Sequence, residues 1–166
     1  MRKIFLTLVG GLLLCVSVAQ AQTILVLGDS ISAAYGLDIE QGWVNQLQER
    51  LHESGQPWQV VNASVSGDTT AGGRARLPQL LTEHQPQLLI LELGGNDGLR
   101  GLPLHSMQDN LSAMIDLAKQ HGAETLLLGM QIPPNYGRRY TQGFQQVYVD
   151  VAQEKSVLLV DFFWKV

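Results

Sequence analysis

The chain has a single cysteine, Cys15, and only four histidines among its 166 residues. One thiol excludes an internal disulfide framework. No Cys, His or carboxylate cluster shows metal-ligand spacing, so neither a metal nor any other cofactor is expected. Positive charge is also scarce: eleven Lys and Arg stand against fifteen Asp and Glu, a formal charge of −4. Without Arg2 and Lys3, nine basic residues face the same fifteen acidic ones, giving −6. That balance argues against a nucleic-acid partner, because phosphate binding demands a basic surface. Internal repeats, low-complexity tracts and long linkers are absent as well, so the chain reads as one domain with one core.

The one long apolar run, Ile4 to Val18, follows Arg2 and Lys3 and precedes Ala19-Gln20-Ala21. A basic start, a short apolar stretch and a small-x-small end read as a secretory signal peptide over 1–21, leaving a domain at 22–166 that is periplasmic or secreted. A membrane anchor would need a longer run and a stop-transfer pattern, so no stable anchor is expected. Leu14 before Cys15 argues against lipidation, and cleavage would remove the only cysteine.

The remaining chain alternates apolar runs with amphipathic stretches. Thr23 to Gly36, TILVLGDSISAAYG, opens with Ile24, Leu25, Val26 and Leu27 in an unbroken apolar run, as suits a strand covered on both faces. Gln59–Asn62, Leu88–Leu93, Thr125–Ile132 and Val157–Val160 are the other predicted strands. Helices are predicted over Gly42–Glu53, around Arg74–Glu83, from near Ser106 to Gly122, and through Phe144, Val147, Tyr148 and Val151. Ser106 and Asp109 have capping-box spacing, and Pro78 fits a helical first turn better than an interior. Strand–helix alternation implies a parallel sheet with helices on both faces.

In such a sheet the loops after the first three strands share the edge where ligands bind. They carry Gly28-Asp29-Ser30, Ala63–Gly73 (ASVSGDTTAGG) and Gly94-Gly95-Asn96-Asp97-Gly98. Acyl transfer needs a nucleophile and hydrogen-bond donors aimed at the oxygen that becomes negative. Ser30 offers a hydroxyl and its backbone N–H, Gly67 a second N–H, and Asn96 a neutral side-chain amide. Each also has an ordinary reading: Asp29 and Ser30 as a helix cap, Gly67 as a turn, Asn96 and Asp97 as turn or cap residues.

Five segments, LGDSISAAYG, VVNASVSGDTTAGG, ARLPQLL, LELGGNDGLRG and PPNYGRRY, resemble the GDSL or SGNH esterases, within them the exported thioesterase, lysophospholipase and arylesterase group. The resemblance covers nearly all of 22–166, with Ile31 where leucine is usual. It implies an α/β flavodoxin-like three-layer α/β/α sandwich on a parallel five-stranded sheet, with Ser30 as nucleophile and Gly67 and Asn96 completing the oxyanion hole. The implied activity is cleavage of a small-molecule acyl ester or thioester through an acyl-serine, by a monomer. Leu99, Leu102 and Tyr136, in loops at the same edge, are candidate walls for the acyl chain, or ordinary loop packing.

The resemblance also implies an Asp-x-x-His block after the fifth strand, supplying the general base. Asp161 is instead followed three residues later by Trp164, so the C-terminal part carrying this block is expected to be missing and catalysis crippled. His52, His84 and His121 fall late in helices, at the opposite edge of the sheet. His105 alone lies on the correct one. A carbohydrate deacetylase with the same machinery and a non-catalytic acyl-binding remnant are the alternative readings.

Overall fold

The computed structural model describes residues 22–165, so the signal-peptide reading of 1–21 lies outside the described residues. Five strands, β1 (Gln22–Gly28), β2 (Trp58–Asn62), β3 (Leu88–Glu92), β4 (Glu124–Gln131) and β5 (Leu158–Lys165), form one sheet in the order β2-β1-β3-β4-β5. Every neighbouring pair is parallel. The helices are α1 (Trp43–Glu53), α2 (Thr70–His84), α3 (Gly95–Leu99), α4 (Leu104–Gln120) and α5 (Arg138–Lys155).

Strand order decides which face each helix covers. The chain leaves β1 toward β2, then crosses back over β1 to β3 and continues outward to β4 and β5. With right-handed crossovers, the first connection must lie on one face and the later ones on the other. Accordingly α1 packs alone, through Val44, against Ile24, Val26, Ile90 and Leu128. Helices α2, α4 and α5 cover the other face, where Leu77, Leu111 and Phe144 meet Leu25, Leu27, Leu89 and Leu91. The result is the three-layer sandwich, with α1 as the single helix of its layer among the described residues. Ile24 to Leu27 are buried, as their unbroken apolar run requires of a strand covered on both faces.

Several elements depart from the sequence reading, among them β5, which runs to Lys165 and not to Val160. Helix α2 begins at Thr70, four residues before Arg74, because the Thr69 hydroxyl accepts from the Gly72 N–H at 3.3 Å and starts the helix inside the glycine-rich stretch. Pro78 therefore lies within α2 and not in its first turn. Ser106 and Asp109 do not cap α4: the helix starts at Leu104 after Pro103, whose fixed φ presets the turn. Residues 95–99, read as loop, coil into the single helical turn α3.

Gly94 takes φ +124°, and a Cβ there would come within 2.4 Å of the Tyr148 hydroxyl and 2.7 Å of Met107 Cε. Tyr148 is fully buried and donates to the Leu93 carbonyl at 3.0 Å, so it cannot withdraw without orphaning its own hydroxyl. Gly122 also has positive φ, +80°, but with open space around it. Replacing Gly122 with Ala should cost about 1–2 kcal/mol of backbone strain, while Gly94→Ala should cost about 1–3 kcal/mol more from overpacking. Urea denaturation of the two variants checks the difference, and equal losses would refute the clash.

On β5, Leu158 is 75% and Val160 39% exposed, two apolar side chains along an edge strand. Such an edge promotes self-association. Leu158→Lys combined with Val160→Lys should lower the aggregated fraction seen by size-exclusion chromatography without shifting the thermal midpoint appreciably.

Candidate active site

The site grows from the register of β1 on β3, which pairs Gly28 with Glu92. Beyond Gly28 the chain turns sharply: the Ala33 N–H donates to the Asp29 carbonyl at 2.9 Å and the Tyr35 N–H to the Ser30 carbonyl at 3.0 Å. Ser30 is half-buried at the carboxyl end of β1, and its hydroxyl makes no hydrogen bond among the described residues. That oxygen is free to meet a ligand.

Asn96 reaches this turn from α3. Its Nδ2 donates to Asp29 Oδ2 at 3.1 Å, and Asp29 Oδ1 accepts the Ile31 N–H at 3.0 Å. A primary amide carries two N–H donors, so one remains for a substrate oxygen. Gly67 comes from the loop after β2, which the Val65 N–H ties to the Gly28 carbonyl at 3.0 Å. Gly67 takes φ +80°, and its carbonyl accepts from Arg100 Nη2 at 2.9 Å, four residues beyond Asn96. Ser30, Gly67 and Asn96 thus share one edge, linked to one another through Asp29, Gly28 and Arg100.

Asp97, beside Asn96, is buried and has a structural task. Its carboxylate accepts the Thr70 N–H at 2.9 Å and the Thr70 hydroxyl at 2.6 Å, at the N-terminus of α2, where negative charge is favoured. This fastens α3, and hence Asn96, to the helix that follows the Gly67 loop. The Arg76–Asp68 ion pair, 2.8 Å, and the Arg76 bond to the Ala63 carbonyl hold the other end of that loop.

Two features escaped the sequence reading. Glu92, taken there as part of an apolar strand, is a buried acid under the Ser30 turn, and burial with Asp29 beside it pushes its carboxyl up to about 8. Burial likewise raises Asp29, opposed by its hydrogen bonds from Ile31 and Asn96. The second feature is an apolar hollow of about 310 Å³ running from Ser30 and Ile31 to Tyr35, Leu37 and Trp43. Its signal was available: Tyr35 and Leu37 are apolar residues in a loop immediately after the serine.

Leu99, Leu102 and Tyr136 lie on the other side, around α3. The Tyr136 hydroxyl donates to the Leu99 carbonyl at 2.8 Å, and Leu102 and Tyr136 are both exposed. His52 and His84 lie in the last turns of α1 and α2, and His121 directly follows α4, as the sequence suggested. His105 is the second residue of α4 and is exposed. No described histidine hydrogen-bonds to Ser30. A larger cavity, about 690 Å³, opens at the opposite edge between the ends of α4 and α5, away from these residues.

Comparison with known proteins agrees with this architecture. The chain is 55% identical over 163 residues to Esterase TesA of Pseudomonas aeruginosa, covering 98% of this chain and 81% of that protein. It is 44% identical over 151 residues to Thioesterase 1/protease 1/lysophospholipase L1 of Escherichia coli K12, covering 91% and 71%. The crystal structure of TesA superposes with a TM-score of 0.84 at 58% identity, over 86% of this chain and 79% of that one. With residues 26–166 matching the family directly, the chain belongs to the GDSL-like lipase/acylhydrolase family.

Proposed function

We propose that this chain is a serine hydrolase that cleaves acyl esters or thioesters through an acyl-serine intermediate, in the periplasm or outside the cell. Ser30 is the nucleophile. Its own N–H, the Gly67 N–H and the remaining Asn96 Nδ2–H receive the oxyanion of the tetrahedral intermediate. The observation that carries this reading is the Asn96–Asp29 hydrogen bond, which ties the end of β3 to the turn holding the nucleophile. Neutral donors suit the task, because they stabilise developing charge without exchanging protons with it.

The acyl chain is assigned to the hollow lined by Ile31, Tyr35, Leu37 and Trp43, with Leu99, Leu102 and Tyr136 as a second wall beyond Asn96. An apolar lining favours an acyl chain over a carbohydrate. The substrate is a small amphiphile, and the working unit is a monomer.

Incubation with a fluorophosphonate should label Ser30, and Ser30→Ala should abolish that label together with p-nitrophenyl ester turnover. Because no described histidine hydrogen-bonds to Ser30, labelling and turnover by residues 22–165 on their own should be slow, several orders of magnitude below a serine hydrolase with its base in place. Fatty-acid binding with neither labelling nor turnover would replace this reading with a non-catalytic acyl-binding protein.

Asn96→Ala removes one oxyanion donor and should slow labelling about 10²- to 10³-fold. It also strips Asp29 Oδ2 of a partner in a buried setting, costing about 1–3 kcal/mol. Labelling rates measured alongside thermal melts separate the two effects, and an unchanged rate would remove Asn96 from the oxyanion hole.

A further inference from the structure

Glu92 takes no part in the chemistry assigned above, yet it lies directly beneath the nucleophile turn. Its Oε2 accepts the Asp29 N–H at 3.3 Å and the Ser32 hydroxyl at 2.5 Å, gripping the turn on both sides of Ser30. Ser32 Oγ in turn accepts from Trp43 Nε1 at 3.2 Å, and the Ser32 carbonyl accepts from Asn62 Nδ2 at 2.8 Å. Space for this arrangement exists only because residue 28 is glycine: a Cβ there would come within 2.5 Å of Glu92 Oε2 and 2.6 Å of Ser32 Oγ. The strand register, the missing side chain and the two hydrogen bonds all serve one carboxyl group.

We propose that Glu92 is a positioning residue for the nucleophile: its carboxyl, seated under Gly28, fixes the Asp29–Ser32 backbone and so aims Ser30, without touching substrate. This rests on the reading of Ser30 as the nucleophile. The group works as a neutral acid. Its Oε1 is buried with no hydrogen-bond partner, whereas both Asp29 oxygens receive donors, so of the two neighbouring carboxyls Glu92 keeps the proton. The titratable groups around it are Asp29 from the loop after β1 and Tyr148 from α5, with Asp97 and Asp68 acting on Asp29. None is a cation; the hydrogen bonds from the Ser32 hydroxyl and the Asp29 N–H favour the ionised form, but burial and the neighbouring Asp29 outweigh them. Above about pH 8 it loses its proton, and two buried anions then repel each other across the turn.

Because the folded protein holds this proton more tightly than the unfolded chain, the stabilisation is complete below Glu92's usual pKa of 4.5. It declines as pH rises and is gone past about 8. The thermal midpoint of wild type relative to Glu92→Gln should therefore fall across that window.

The decisive experiment pairs two readouts on the full chain. Backbone amide resonances of Asp29 and Ser30, followed by NMR from pH 6 to 10, should shift together with a midpoint near 8 in wild type, and the shift should vanish in Glu92→Gln. Fluorophosphonate labelling of Ser30 should slow about 10²-fold in Glu92→Leu. Glu92→Gln, which keeps an acceptor oxygen and the same volume, should restore the rate and remove its alkaline decline. Amides that ignore pH over this range, or a Glu92→Leu protein labelled as fast as wild type, would overturn the proposal. Should wild type itself not label, the hydrolase reading falls, and the resonance titration still decides whether Glu92 grips the turn.

Discussion

Parallel pairing of β1 with β3, with Gly28 opposite Glu92, is the constraint from which the site follows. The two strands are neighbours in space but separated in sequence by α1, β2 and α2, and between them the direction of winding reverses. At such a reversal the loops leaving adjacent strands diverge to opposite faces and open a crevice. Ser30 leaves β1 on one side of it and Asn96 leaves β3 on the other. One hydrogen bond, Asn96 to Asp29, then bridges the two loops. A slip of β3 by one residue would turn Glu92 to the opposite face and break the link between the two loops.

That junction is unusually dense in buried acids. Asp29, Glu92 and Asp97 are each at most 4% exposed, and among the described residues no basic side chain hydrogen-bonds or pairs with any of the three. Uncompensated, three buried charges would be prohibitive. The structure resolves each differently: Asp97 by the N-terminus of α2 and the Thr70 hydroxyl, Asp29 by two N–H donors, and Glu92 by retaining its proton. Backbone and amide donors replace cations throughout. Neutral donors leave the remaining Asn96 N–H uncommitted.

The fold was legible because its signals were long and redundant. Ile24 to Leu27 could only be a strand buried on both faces, and Met107, Leu111, Met114, Ile115 and Ala118 repeat at helical spacing and are all buried. That Ser30, Gly67 and Asn96 share one edge was legible for a topological reason: each follows a strand of one parallel sheet. Their partners were not. Glu92 sits inside LLILEL, where a lone acid among leucines gives no sign of facing a second acid 63 residues away in sequence. The start of α2 was misplaced for a related reason. Gly72 and Gly73 argue locally against helix, but a Cβ at position 73 would come within 2.2 Å of Leu93, so tertiary packing, not propensity, sets the identity of Gly73.

Topology also explains why the described histidines are so poorly placed for proton transfer. In a parallel sheet every crossover helix runs antiparallel to the strand before it, so its carboxyl end arrives at the edge opposite the site. Histidines gather at helix carboxyl ends because their cationic form complements the dipole there, and His84 and His121 follow that preference. His121 even commits Nδ1 to the Leu117 carbonyl at 2.9 Å. A base for Ser30 must instead come from a loop that follows a strand or from the first turn of a helix, as His105 does on α4. Position on the correct edge is necessary for such a role, but the exposed His105 ring makes no hydrogen bond to Ser30, and proximity to that hydroxyl is the further requirement it does not meet.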